Sequence, residues 1–225
     1  VWMAALGGVI AIFFVKQLFG GLGQNFMNPA LGARVILFLA WTGPMTKYLA
    51  PGQPLDAMAG PTPLAILKGK EVAGIPLPDH IQQLLGNHGG CIGETTMIAL
   101  CIGALYLIIR RVISPKIPLL FIGTVALLSW MFGGKAGLFQ GDFLNYTLYG
   151  GLILGAFFMA TDYATHPVTP LGQTIFGISL GVLTVVIRLW TNYPEGVQFA
   201  IILLNCLVPL IDRHTIPKTF GGKHA

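Results

Sequence analysis

The chain has 225 residues, 54% of them hydrophobic and 9% charged, with a formal net charge of +5 and a mean hydropathy of +0.75. Soluble domains carry roughly 25% charged residues, so this composition excludes a surface that faces water throughout and points to lipid instead. The positive balance does not indicate nucleic acid, because the basic residues stand scattered at the ends of apolar runs and form no patch with aromatics between them.

Seven apolar runs follow one another: Val1–Val15, Leu31–Trp41, Ile92–Ile109, Ile117–Phe132, Leu148–Thr161, Thr174–Trp190 and Val197–Ile211. A spanning helix needs about 20 residues, so several runs must borrow small and polar neighbours. Leu31–Trp41 is the weakest and reads as a broken or half helix. These runs predict an all-α, polytopic membrane helix bundle. The chain opens on Val1 inside an apolar run with no basic region before it, which is unlike a signal peptide. Helices are therefore expected upstream.

Lysine and arginine orient the bundle. Arg110, Arg111 and Lys116 fill the tight turn between the third and fourth runs, and Arg213, Lys218 and Lys223 follow the last. Four crossings separate the two clusters, so both are predicted to be cytoplasmic. The turn holding Lys16 and Arg34 is then also inside. The segment 43–90, with Pro51, Pro54, Pro61, Pro63, Pro76 and Pro78, is predicted to be an external loop. Loops of that length are usually functional or disordered.

Three glycine-containing stretches echo one another: Gly20–Gln24, Gly89–Glu94 and Leu171–Gln173. Repeated glycine-rich half-helices occur in inverted-repeat transporters, and chance in a chain with 30 glycines is the alternative.

Candidate chemistry is sparse. Thr62 before Pro63 reads as a helix N-cap with proline at the first helical position. That is an ordinary cap, and also a place where free N–H groups and a helix dipole favour a phosphate. Glu94, Asp162 and Asp212 stand at the ends of apolar runs. Carboxylates at bilayer depth are often functional, although water reaches run ends and Glu94 also suits a helix start. With Glu94 outside and Asp162 and Asp212 inside, the three suit a cation path. Asn28-Pro29-Ala30 reads as a turn that starts a helix. Cys101 and Cys206 read as small apolar residues packed within helices. No cysteine or histidine spacing indicates a metal site.

Five stretches in order carry a resemblance: KQLFGGLGQNFMNPALGAR (Lys16–Arg34), DAMAGPTPLA (Asp56–Ala65), GGCIGETT (Gly89–Thr96), GAFFMATD with PVTPLGQ (Gly155–Gln173), and YPEGVQFAIILLNCLVPLID (Tyr193–Asp212). The chain resembles the D-subunit family of the Rnf complex, the bacterial ferredoxin–NAD oxidoreductase that pumps Na+ or H+. It is similar, less closely, to the B subunit of the sodium-pumping NADH–quinone reductase.

The resemblance implies ten helices in two inverted repeats of five, about seven of them present here, in the bacterial cytoplasmic membrane. It implies FMN joined through its phosphate to a threonine in a pattern like D-G-x-S-G-A-T. The acceptor would be Thr62, with Asp56 and Gly60 matching the pattern and Ala57, Ala59 and Pro61 departing from it. It also implies a non-covalent riboflavin. The turn formed by Gly20, Gly21, Gly23, Gln24 and Asn25 is its expected wall, since glycine lets backbone approach a flat ring.

The function so implied is electron relay from an outer flavin-bearing subunit to further membrane subunits, coupled to Na+ or H+ transfer. A reduced flavin in a low-dielectric site attracts a cation strongly, and Glu94, Asp162 and Asp212 would receive it. Ferredoxin and NAD would act only through other subunits. The B subunit of the quinone reductase is the nearest alternative, and a cofactor-free channel, transporter or scaffold is the alternative from another class.

Overall fold

The structure is a computed structural model, which describes residues 2–46, 48, 62–68, 79–86, 88–91, 93–134, 137–191, 193 and 195–217. Among these residues, three helical stretches are long and apolar enough to cross a bilayer: Trp2–Phe19, Pro170–Trp190 and Val197–Thr215. Pro29–Ala40, Met97–Ile109 and Lys116–Phe132 are apolar but shorter. The chain is thus a multi-pass, all-α membrane protein, as its composition predicts.

Helix α1 (Trp2–Val9) continues through a π-helical stretch, Ile10–Lys16, and a 3-10 turn, Gln17–Phe19. It stops at Gly20, whose φ of 112° closes the helix in the left-handed region that glycine tolerates. Helix α2 (Pro29–Ala40) has 12 residues, the half helix its short apolar run predicts. It runs antiparallel to α1, with Trp2 packed on Trp41 and Val15 close to Gly32. Short helices α3 (Thr42–Met45), α4 (Pro63–Leu67) and α5 (His80–Leu85) follow, and then α6 (Met97–Ile109).

Helices α7 (Lys116–Phe132), α10 (Pro170–Trp190) and α11 (Val197–Thr215) hold most of the core. α7 and α10 run parallel, because Ile117 lies by Gly177 and Thr124 by Gly181. A Cβ on Gly181 would stand 2.4 Å from the Thr124 Cβ, so only glycine permits this approach. Close contact through small residues is how helices associate where lipid removes the hydrophobic drive. α11 returns antiparallel, placing Thr215 against Gly172 and Gly196 against Ile187. Phe121, Phe176, Leu180 and Ile201 are fully buried among the three. Ile102, Leu105, Ile109, Leu119, Leu127 and Leu203 face outward, as lipid-facing residues do.

Two expectations need correction. Leu148–Thr161 is not one helix. Helix α8 (Phe143–Leu148) ends at Tyr149, Gly150 and Gly151 turn with φ of 73° and 63°, and α9 (Leu152–Leu154) resumes into a π-helical stretch, Gly155–Met159. Two adjacent left-handed glycines break the hydrogen-bond ladder. Cys101 and Cys206 are exposed on the bundle's outer face and do not pack within it.

One end of the bundle gathers the Arg110–Lys116 turn, residues 162–169 and the end of α11, tied by Lys116 Nζ donating to the Pro170 carbonyl and Thr169 to Thr215. The other end gathers α4, Thr191 and Tyr193, where Lys68 Nζ donates to the Thr191 carbonyl.

Candidate functional site

The break in the α8–α9 segment exposes backbone groups that helices normally pair internally. Arg188, in the last turn of α10, answers the carbonyl side. Its Nη1 donates to the Tyr146 carbonyl, and its Nη2 to those of Tyr149 and Gly150 at 3.0 and 3.1 Å. The side chain is 0% exposed, and its Nε has no partner among the described residues. Burying a guanidinium costs several kcal/mol, and three carbonyls at the negative end of a helix offset it. A Cβ on Gly150 would lie 2.7 Å from Nη2, so the cation fits only against glycine.

Glu94 answers the amide side. Its Oε2 would lie 2.6 Å from a Cβ on Gly151, beside the start of α9. Its Oε1 accepts the Cys91 N–H at 2.8 Å. The helix that follows, α6, is N-capped by Thr96, so Glu94 belongs to this break and not to the helix start anticipated for it.

Arg34 of α2 completes the cluster. Its Nη2 lies 2.7 Å from Cys91 Sγ and 3.5 Å from Glu195 Oε2, in the one ion pair among the described residues. This corrects the expectation that Arg34 lies in an inner turn. One turn and a half into α2, its side chain meets residues of the opposite end. The Asp212–Arg213 pair that adjacency allows does not form. Burial pushes the Glu195 carboxyl up to about 7, with Glu94 adding to the shift, while Arg34, Arg188 and a hydrogen bond from Tyr48 oppose it. Burial likewise pushes the Cys91 thiol up to about 12, reinforced by Glu94. A cavity of about 20 Å³ lies between Arg34, Glu94, Gly150, Gly151, Glu195 and Gln198.

At mid-depth, Asn28 N-caps α2, accepting from the Ala30 and Leu31 N–H groups at 3.1 and 3.2 Å. The Asn28-Pro29 pair thus starts a helix, as its sequence predicts. The Asn205 amide of α11, oriented for its hydrogen bonds, accepts from the Asn28 N–H and donates to the Thr165 carbonyl. Two stretches of irregular backbone therefore meet inside the bundle around one buried amide, where water is scarce.

Asp162 and Asp212 lie on the far side. Asp162 accepts from Thr165 Oγ1 at 3.2 Å, and Asp212 from the Val168 N–H at 3.2 Å. Both brace the segment 162–169. Gln198, Asn205 and Asp212 recur every seventh residue, so they fall on one stripe of α11.

Thr62 sits where expected, as the residue before α4, with Pro63 at the first helical position. Its predicted role as a cap does not form: the side chain makes no cap hydrogen bond. Among the described residues, Asn28, Thr62 and Thr169 each stand before a proline that starts a helix. Asn28 and Thr169 use their side chains as caps, and Thr62 does not. Thr62 is 5% exposed, and Leu64 beneath it packs with Tyr146 and Tyr149. Asp56, Gly60 and Pro61 lie outside the described residues. Gly20, Gly21 and Gly23 form a turn with φ of 112°, 90° and 80°. Gln24 packs on Gly20, Asn25 donates to the Met27 carbonyl, and at Gly23 a Cβ would meet nothing within 4 Å.

Sequence reasoning missed Arg188, Glu195 and Gln198. Arg188 carried a signal, as a cation inside an apolar run. Glu195 stands between two runs, where no pattern in the sequence singles it out.

The model of the NQR2, RnfD, RnfE family matches residues 1–221. The chain is 45% identical over 231 residues to the D subunit of the proton-translocating ferredoxin:NAD(+) oxidoreductase complex of Clostridium ljungdahlii, covering 99% of this chain and 69% of that one. It is 44% identical over 223 residues to the D subunit of the Na(+)-translocating ferredoxin:NAD(+) oxidoreductase complex of Acetobacterium woodii, covering 98% and 67%. The D subunit of the ion-translocating oxidoreductase complex of Stutzerimonas stutzeri is 38% identical, covering 98% and 70%.

Proposed function

The chain belongs to the NQR2, RnfD, RnfE family, and on that premise we propose that it is the D subunit of an ion-translocating ferredoxin:NAD oxidoreductase in a bacterial cytoplasmic membrane. Its partners are the other subunits of that complex, which hold the ferredoxin and NAD sites. We further propose that FMN is joined to Thr62 by a phosphoester and that a riboflavin is held without a covalent bond.

The observation that carries the FMN assignment is the Thr62 hydroxyl. It alone, of the three helix-starting residues before proline, is uncommitted to its own helix. An uncommitted hydroxyl is free to become an ester oxygen. The Leu64, Tyr146 and Tyr149 cluster beneath α4 offers an apolar and aromatic support beside it. For riboflavin, the open backbone face at Gly23 is the matching feature. Bound flavin supplies electron transfer that the side chains cannot perform.

The chain's own residues would handle the ion. Glu94 stands at one end of the bundle, Asp162 and Asp212 at the other, with Asn28, Thr165 and Asn205 between them. A cation passing along this column meets oxygen atoms in place of hydrocarbon, which lowers the cost of carrying charge through the bilayer. Na+ or H+ would satisfy it, and the Clostridium and Acetobacterium relatives are named for one each.

The test is a denaturing gel of the complex viewed under ultraviolet light. The band of this chain is expected to fluoresce, and Thr62→Val to be dark at equal protein. A dark wild-type band, from cells that hold the modifying transferase, sinks the covalent flavin.

A further inference from the structure

The Glu94 cavity contains one oxygen that the described residues leave unanswered. Gln198, in the first turn of α11, is 6% exposed, and its Oε1 is buried with no hydrogen-bond partner among them. A buried acceptor in that condition is costly unless something else meets it. Gln198 lines the same cavity as Glu94 and Glu195. One oxygen of each carboxylate and the Cys91 Sγ lie within 4.8 Å of one another. Cys91 with Glu94, Gly150 with Gly151, and Glu195 with Gln198 thus converge on one small space from three separate parts of the chain. At about 20 Å³ it holds a single water or one largely dehydrated ion.

We propose that this cavity is a binding site for one monovalent hard cation, held by the carboxylates of Glu94 and Glu195 and by Gln198 Oε1, with Arg34 competing for Glu195. This deepens the reading of the chain as part of an ion-translocating complex and rests on it. The ligand chemistry follows from the partners. Cys91 Sγ is already engaged by Arg34 at 2.7 Å, so the acceptors left are oxygens, which select hard cations over zinc or copper. Arg34 pairs with Glu195 and the Arg188 guanidinium is turned toward the backbone carbonyls of the break, so Glu94 is the carboxylate left without an ion pair among the described residues. A divalent ion would carry surplus positive charge into an apolar bundle.

The site also explains the position of the helix break. Gly151 lets Glu94 approach the start of α9, and Arg188 occupies the carbonyl side, so the two ends of the break are separated in charge. Discontinuous helices elsewhere place ion ligands at such points. When a cation occupies the Glu195 carboxylate, Arg34 is released toward Cys91. The site therefore holds either the internal cation or the external one at Glu195.

Binding of 22Na+ to the purified, assembled complex, read by scintillation proximity, tests this directly. Gln198→Leu is expected to weaken one class of saturable binding about tenfold or more. Gln198→Glu, which keeps an oxygen in place, is expected to retain it. If Gln198→Leu fails to assemble, Gln198→Asn withdraws the oxygen by one methylene and carries the same expectation. Superimposable isotherms for the wild type and the assembled variant overturn the site, as does a wild type with no saturable 22Na+ binding. Fluorescence of the Thr62 band in the same preparations separates the two claims. Unchanged isotherms with a fluorescent band remove the cation site alone. A dark wild-type band with binding that still depends on Gln198 removes the flavin alone.

Discussion

Arg188 shows how a single residue decides local architecture in a membrane protein. Its guanidinium closes three carbonyls that no helix can close, at the C-terminal side of α8. Removing it leaves those acceptors buried and unpaired. Arg188→Met is therefore expected to destabilise the bundle by roughly 3–5 kcal/mol, the range for breaking a buried charged network. Arg188→Lys should recover only part, because one ammonium cannot fork across three carbonyls. Thermal unfolding of the purified protein in detergent checks this, and a midpoint within ~2 °C of wild type would contradict the role. The sequence displays Arg188 openly within an apolar run, yet its purpose is invisible there, since its partners lie 38 to 42 positions away. Thr62 is the opposite case. Its helix start was legible, but that its hydroxyl leaves the cap unmade is a matter of side-chain geometry.

At the scale of elements, hydropathy locates the helices well and their interruptions poorly. The short run Leu31–Trp41 does announce the half helix α2, because length alone distinguishes it. The break at Gly150 and Gly151 does not register, because glycine is common throughout this chain and only its φ distinguishes a break from close packing. Gly181 is the packing case. It has ordinary helical φ, and its Cβ position is filled by Thr124 of α7. Gly181→Val is expected to force α7 and α10 apart at a cost of about 1–3 kcal/mol, as overpacking does. Limited proteolysis at the Arg110–Lys116 turn, with thermal unfolding, would register the loosened α7. Equal protease sensitivity and an unchanged midpoint would mean that the interface yields without cost. Gly177→Ala should be milder, since its Cβ would stand 3.0 Å from the Leu120 Cβ and 3.3 Å from the Ile117 carbonyl oxygen, looser than the 2.4 Å approach at Gly181.

The whole molecule has a sense of direction that neither residues nor helices hold alone. Parallel α7 and α10 and antiparallel α11 place the Arg110–Lys116 turn and Arg213 at one end. The acids Glu94 and Glu195 cluster toward the other, the end where Lys68 donates to the Thr191 carbonyl. Basic residues in short loops stay on the cytoplasmic side during insertion. The turn is short and the tail basic, so the rule applies with force to that end. The ion pair with Glu195 takes Arg34 out of the group of inner cations, and the bias survives because Arg110, Arg111, Lys116 and Arg213 still share one end. The expected outcome is that Ser114→Cys, exposed in the basic turn, reacts with a membrane-impermeant maleimide only in inverted vesicles. Gln140→Cys, exposed in the turn after α7, should react only from the outside of intact cells. Cys101 and Cys206 must first be replaced, since both face outward, while the Cys91 thiol, held protonated near neutral pH, reacts slowly. Labelling of both positions from the same side would overturn the topology, and with it the placement of Thr62 on the face where the proposed flavin would be attached.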